Sequence, residues 1–482
     1  MPEIRFADPQ FTKIVEIVNA PKPANDNAEP RPAPALGPSQ SGAAASLTTT
    51  FMRSKVGALI GRAGTGKTTL LVAMRMQFPE MLILCPSNKA CARVRQVLKE
   101  YGLEASGVQT VHSAVCTPTG DARAAMRGVH TAGGDDGLGL EFDPKEGQIE
   151  TPVWVDEAGM LEGGLLRVLE QKCRAGLVLA GDDQQLPPIK GGPSALTLAI
   201  AKHGSVALTE NFRQSDGPLK ESLSRILQGE ELEETLALLP KISLGDAIKL
   251  SAASGGKVPI IAGRHRTQLV PINAAVRKAR GFGRGLTKGE ILLVRRGGNL
   301  TKWGGHLLTT NEEVVFQKYS AHAVEFYFMN GEWGAFPPEA ECWGDVFPNR
   351  PYQGMLVLQR ALVTASDQEG SPQYEILLAD FNGDEQQVAA LLAAVNVQGY
   401  WTKENPSPVV RLQREYRDEV GRPWAAYCDA ADSYARTCHS AQGSEWDYVL
   451  VVPGAQGDAR KWYYTALSRA KRGAFLVDGT VA

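Results

Sequence analysis

The chain has 482 residues, enough for about three domains, and its 43% hydrophobic and 22% charged residues are the balance of a globular protein. Lys and Arg total 51 against 53 Asp and Glu, so a polyanionic partner would have to be met by a local basic groove, because the overall field is close to neutral. Seven scattered cysteines without a C-x-x-C pair argue against structural disulfides and a zinc site. With no apolar run of ~18 residues and no signal-peptide layout, a cytoplasmic protein without a membrane span is expected.

In chain order, FTKIVEIV (Phe11 to Val18) reads as a floppy end with some β-propensity, the alternative being an apolar patch docked on the body or on a partner. Asn19 to Gly42 is rich in Pro, Ala and Asn and reads as a disordered linker, so residues 1–38 are expected to form a tail. From Ser46 to Leu208 short apolar strands alternate with helical stretches: VGALI, MLILC, PVWVD and GLVLA each precede a loop or helix start. That alternation predicts a parallel sheet covered on both faces, as one α/β domain over 39–205. VPIIAG with PINAAVRKAR, and YVLVVP with KWYYTALSRAKR, predict a second α/β domain in two parts, 206–284 and 424–482. Between these parts, over 285–423, helical periodicity fades and pieces such as EILLVRR, EVVFQKY and GMLVLQRALV predict a β-rich insert.

The first strand runs into GRAGTGKTT, Gly61 to Thr69, the pattern G-x-x-x-x-G-K-[ST] with strand before and helix after. Gly61, Gly64 and Gly66 let backbone N–H groups close around phosphate oxygens, and the helix behind them adds a positive N-terminus. Lys67 is placed to reach β and γ phosphates and Thr68 to hold Mg²⁺, with Thr65 and Thr69 beside them in the same loop. Downstream, VWVDEAGM ends an apolar strand in two carboxylates: Asp156 suits a Mg²⁺ shell, and Glu157 suits a general base that orients the attacking water. GDDQQLPP follows the next strand, and its Gln185 is a neutral donor suited to sensing the γ-phosphate, although the string alone could be a Pro-bounded turn.

The ordered set GRAGTGKT, CPSNKA, TVHS, VDEAGM, GDDQQLPP, LTENFRQ, TCHSAQGSEWD and YYTALSRAK resembles the helicases of superfamily 1, B branch, the group with RecD-like proteins and the phage Dda helicase. The resemblance runs from about Gln40 to Arg472. It implies two RecA-like P-loop NTPase domains of α/β class, with a small wedge insertion and a β-rich SH3-like insertion. It also implies an ATP- and Mg²⁺-dependent enzyme that moves 5′ to 3′ on single-stranded DNA and unwinds duplex at a fork, a monomer of a bacterial or phage-infected cell. A protein partner would act through the N-terminal tail. The alternatives are a motor subunit of a RecD-like exonuclease complex and a DNA-stimulated ATPase that remodels protein on DNA.

Carried over by residue, the resemblance gives Gln40 to the adenine edge and Arg213 and Arg469 to the γ-phosphate across the cleft. A guanidinium suits the charge spread over the equatorial oxygens in phosphoryl transfer. Strand contacts fall to Pro86, Ser87, Asn88, Lys89, Thr110, His112 and Ser113 in the first domain, and to Thr437, His439, Gln442 and Glu445 in the second. Ser440 stands where the family usually has a basic residue, which leaves one phosphate contact open. The segment 114–150 is either the strand-splitting wedge, with a hairpin over Leu138 to Ile149, or a plain surface loop.

Overall fold

The structure, a computed structural model, describes residues 4–20, 30–118, 142–188, 191–212, 216–263, 268–283, 286–296, 313–319, 324–329, 332–334, 354–364, 373–379, 429–455 and 457–478. The chain divides into two compact units: one made of Met1–Thr117, Pro144–Arg280 and Tyr434–Ala482, the other of Pro118–Asp143 and Gly281–Ser433. The first unit holds two parallel sheets.

Helix α1 spans Pro9–Asn19, where a floppy end was expected. Asp8 caps it by accepting from the Gln10 amide, and Pro9 fits the first turn because its missing N–H would have no helical partner there. Phe11, Ile14 and Val18 recur at helical spacing and are buried in the core of the second sheet with Ile242, Leu250 and Phe475. Helix α2, Pro38–Met52, likewise begins inside the stretch read as linker. Its Ala43, Leu47 and Phe51, four residues apart, form a stripe packed in the core of the first sheet. Small and polar residues around that stripe hide it from a compositional reading.

Strand β1 (Val56–Gly61) leads through the glycine loop to helix α3 (Lys67–Gln77), and β2 (Leu82–Cys85) leads to helix α4 (Asn88–Glu100). Strand β3 (Val108–Thr110) runs into helix α5 (Val111–Val115). A two-stranded ladder, β4 (Cys116–Pro118) with β5 (Phe142–Pro144), closes the base of the expected wedge segment, of which residues 119–141 lie outside the described residues. Strands β6 (Val153–Val155), β7 (Leu177–Gly181) and β8 (Ser205–Leu208) complete a sheet of order β3-β2-β6-β7-β1-β8. The strands are parallel and their register places Leu84 beside Val155, Val155 beside Leu179 and Ile60 beside Gly181. The glycine loop, the Asp156–Glu157 pair and GDDQQLPP therefore all leave the same carboxyl edge, where open α/β sheets bind ligands.

The second sheet is assembled from β9 (Lys241–Ser243), β10 (Ile260–Ala262) and, after the other unit, β18 (Ala435–Thr437), β19 (Trp446–Val451) and β20 (Ala470–Asp478). Its order is β18-β10-β19-β20-β9, again parallel. The intervening unit carries a seven-stranded antiparallel sheet, β11 (Ile291–Arg296), β12 (Glu313–Tyr319), β13 (Val324–Met329), β14 (Glu332–Gly334), β15 (Gly354–Thr364), β16 (Gln373–Ala379) and β17 (Asp429–Asp432). Among the described residues no helix is long and apolar enough to cross a membrane.

The docked α1 generates a prediction. Phe11, 6% exposed and edge-on to Phe475 at 5.8 Å between ring centres, should lower stability by about 3 kcal/mol when changed to Ala, whereas Lys13→Ala on the exposed face should stay within about 0.5 kcal/mol. Equal melting curves for the two variants would return α1 to the status of a peripheral tail.

Candidate active site

The glycine loop is shaped by two residues in the left-handed region, Gly64 at φ +85° and Gly66 at φ +79°. A Cβ on Gly66 would also fall 2.1 Å from the Gln40 Nε2 and push that side chain aside, so the left-handed backbone is what demands glycine here. Lys67 Nζ donates to the Gly61 and Arg62 carbonyls at 2.5 and 3.2 Å, and the buried Thr65 hydroxyl donates to the Arg62 carbonyl at 2.8 Å. A cavity of about 260 Å³ opens over the loop, with Gly64, Gly66, Lys67, Thr68 and Thr69 in its floor.

Asp156 and Glu157 enter this cavity from the end of β6. Glu157 adopts φ +51°, costly for a residue with a side chain, and this conformation heads the Ala158–Met160 turn. Burial, reinforced by the neighbouring Glu157, pushes the Asp156 carboxyl up to about 6, while Lys67 and Arg93 oppose the rise. A buried carboxylate beside a threonine hydroxyl in one cavity fits Mg²⁺, which takes one or two carboxylates and completes its shell with phosphate oxygens and water. Asp156 and Thr68 would be those protein ligands.

Gln185 lines the same cavity, and its Nε2 donates to Asp182 Oδ2 at 3.4 Å. Asp182 is 3% exposed and is the meeting point of the site: Oδ1 accepts from Arg62 at 3.4 Å and from the Gln184 amide at 3.1 Å, and Oδ2 accepts from the Tyr464 hydroxyl at 2.8 Å. The second sheet closes the far wall. Arg469, 3% exposed, lines the cavity with Nε bonded to the Thr465 carbonyl and Nη2 to the Ser468 hydroxyl. Leu186 is buried in the second sheet's core; its amide donates to Thr465 Oγ1 at 2.9 Å and its carbonyl accepts from Gln442 Nε2 at 3.2 Å.

At three expected positions the structure gives the following surroundings. Gln40 is 3% exposed, with Oε1 accepting from the Gly37 amide and Nε2 directed at the Thr65 and Gly66 carbonyls, so its amide meets the back of the glycine loop. Gln442 is buried at the seam, and Glu445 lines the cavity, paired with Arg93 at 2.5 Å and Lys471 at 3.5 Å. Arg213 lies outside the described residues.

The remaining strand-contact candidates sit at the carboxyl edges of the sheets. Pro86 and Ser87 follow β2; Ser87 caps α4 through the Ala90 amide, with Asn88 and Lys89 in its first turn. Thr110 and Thr437 end β3 and β18 and make the same turn: each hydroxyl accepts from the amide three residues on, Ser113 at 3.2 Å and Ser440 at 3.1 Å. Each serine hydroxyl then donates to its threonine's carbonyl at 2.9 Å. His112 and His439 occupy equivalent places in the two turns and are half-buried; burial lowers the His439 pKa.

Two cavity residues escaped the sequence reading. Arg93 extends from α4, and although burial works against its charge, Glu445 holds the guanidinium above its ordinary range. Phe212 is 60% exposed at the cavity mouth, its amide bonded to the Gly64 carbonyl at 2.8 Å, and presents an aromatic face beside the loop. Helical spacing from Lys89 to Arg93 was a usable signal for the first; an aromatic next to Arg213 was one for the second.

The AAA domain family model matches residues 35–243, and the UvrD-like helicase C-terminal domain model matches residues 432–477. No curated protein matches the chain by sequence. The crystal structure of Pif1 helicase from Bacteroides in complex with ADP-AlF3 and ssDNA aligns with a TM-score of 0.50 at 14% identity, covering 93% of this chain and 94% of that one. Pif1 helicase from Candida albicans aligns at 0.47 and 14% identity over 93% and 97% of the two chains. Bacteroides Pif1 bound to ssDNA aligns at 0.47 and 15% identity over 93% of each. The first alignment shows a shared fold of two RecA-like domains. The two family models fall in chain order on these two sheets, an AAA domain over the first and a UvrD-like helicase C-terminal domain over the end of the second.

Proposed function

We propose that the protein moves 5′ to 3′ along single-stranded DNA by hydrolysing ATP with Mg²⁺ at the seam of its two sheets, and opens duplex from a forked or 5′-tailed end. The observation that supports this reading is one cavity lined by the glycine loop, Asp156, Glu157 and Gln185 from the first sheet and by Arg469 from the second. The ADP-AlF3 and ssDNA held by the Bacteroides Pif1 structure are the ligand classes carried over to this chain.

In this reading Lys67 exchanges its loop carbonyls for β and γ phosphates, and the Gly64 and Gly66 backbone cradles them. Thr68 and Asp156 would hold Mg²⁺, which when bound would supply charge neutralisation at the phosphates. Glu157 orients the attacking water and takes its proton, Gln185 reads the γ-phosphate, and Arg469 with Arg213 stabilises the transferring group. Phe212 offers a stacking face to the base, and Gln40 supports the loop from behind.

The matched turns at Thr110 and Thr437 are proposed to grip the DNA backbone from the two sheets, with Pro86, Ser87, Asn88 and Lys89 beside the first and His112 and His439 stacking on sugar or base. The direction rests on the resemblance: TVHS and a β-rich insert ahead of TCHSAQGSEWD are shared with the branch that moves 5′ to 3′. The insert is taken as the SH3-like module and the segment 114–150 as the wedge.

Hydrolysis should depend on Mg²⁺ and rise strongly with single-stranded DNA. Lys67→Ala should lose nucleotide binding or turnover, Glu157→Gln should bind ATP with little turnover, and Arg469→Ala should lower kcat by up to ~10³ while single-strand binding persists. A steady-state assay in which Glu157→Gln turns over normally would remove that residue from the role of base. Single-strand affinity should weaken with salt, about 0.7 in the log–log slope for each phosphate neutralised; a flat salt titration would contradict the backbone grip. In strand-displacement assays, 5′-tailed and forked duplexes should open and 3′-tailed ones should not. The opposite preference would reverse the assigned direction.

A further inference from the structure

Tyr464 lies in the helix Ala459–Leu467 of the second sheet, 2% exposed, and its hydroxyl reaches entirely into the first. It donates to Asp182 Oδ2 at 2.8 Å and accepts from the Ala63 amide in the glycine loop at 3.3 Å, partners 282 and 401 positions away in sequence. Both capacities of the phenol are used. Asp182 in turn receives Gln185 on the same oxygen and Arg62 of the loop on the other. Five residues beyond Tyr464, Arg469 is fastened to the Thr465 carbonyl at the end of the same helix. One hydroxyl therefore joins the loop that cradles phosphate, the carboxylate that holds the γ-phosphate sensor and the helix that leads to the cross-cleft arginine.

We propose that Tyr464 is a positioning residue of the ATPase, which through Asp182 and the Ala63 amide sets the register between Gln185, the glycine loop and Arg469. The proposal rests on the functional reading above and adds the route by which the two walls of the cavity are held in a common geometry. A phenol buried only for its volume would need some hydroxyl partner, and a carbonyl of its own sheet would serve. Tyr464 instead takes both partners from the opposite wall, at the two points from which the loop and the sensor are held. Burial and the adjacent Asp182 raise its pKa well above the ordinary phenol value, which keeps the proton in place as a donor to the carboxylate.

Tyr464→Phe preserves the ring and removes only the hydroxyl. With saturating single-stranded DNA, kcat should fall about ten-fold or more, the scale expected from removing a hydrogen bond to a buried charge, while KM for ATP and the Kd for a fluorescent ADP analogue stay within about three-fold of the parent. Asp182→Asn should show the same split. Because both substitutions cut one connection, the double variant should be about as slow as the slower single one, without multiplied effects. A Tyr464→Phe protein with the parent's kcat, or losses that multiply in the double variant, overturns the proposal. Should Tyr464→Phe fail to fold, the split read in Asp182→Asn decides it: a loss in kcat alone supports the proposal and an unchanged kcat overturns it. A parent protein without DNA-stimulated hydrolysis would overturn the functional reading and this proposal together, whereas an active parent beside a normal Tyr464→Phe overturns this proposal alone.

Discussion

The Asp182 carboxylate, buried where two sheets meet, is the constraint around which the site is arranged. A charge removed from water must be matched by donors, and those donors come from every part of the cavity: Arg62 in the glycine loop, Gln185 and the Gln184 amide beside it, and Tyr464 across the seam. Separating the sheets would strip Asp182 of its second-sheet donor and, four residues on, expose the backbone of Leu186, whose amide and carbonyl are bonded to Thr465 and Gln442 of the second sheet. The polar seam thus specifies one docking geometry, and the Leu186 side chain in the second core supplies the apolar part of the contact.

Charges facing the cavity are compensated by the protein itself. Lys67 is held by loop carbonyls, Arg93 by Glu445, and Arg469 by the end of its own helix. Asp156 is the exception, since burial and the Glu157 charge disfavour its ionised form and outweigh Lys67, Arg93 and the Glu157 backbone N–H, which oppose them. A divalent cation at that carboxylate would answer the imbalance directly, which is the physical reason for proposing Asp156 and Thr68 as its ligands.

Much of the site was legible because its chemistry is contiguous in sequence. The glycine loop, the Asp156–Glu157 pair and Gln185 each follow an apolar strand, and the parallel register delivers all of them to one edge. Long-range partners were not legible in this way. Glu445 and Gln442 sit in a motif with strand-contact residues, yet burial and pairing with Arg93 and Leu186 draw them to the seam. Helix α1 is hidden by its Ile and Val, which favour a strand, although Asp8, Pro9 and the spacing of Phe11, Ile14 and Val18 carry a helix signal. Composition likewise concealed the start of α2, whose buried stripe is only Ala43, Leu47 and Phe51.

The central claim is that the cavity and the two turns proposed to grip the strand belong to one coupled device. Both turns leave the carboxyl edges of sheets that also wall the cavity, and the proposal is that a nucleotide which alters the seam alters the spacing of the turns. The most direct measurement is the Kd of a labelled single-stranded oligonucleotide at fixed salt, with and without Mg²⁺ and a non-hydrolysable ATP analogue. The account predicts that the Kd changes several-fold with nucleotide, and that the analogue's own Kd changes by the same factor with DNA, as linkage requires. Identical DNA affinities in the two nucleotide states, with the analogue shown to be bound, would contradict it.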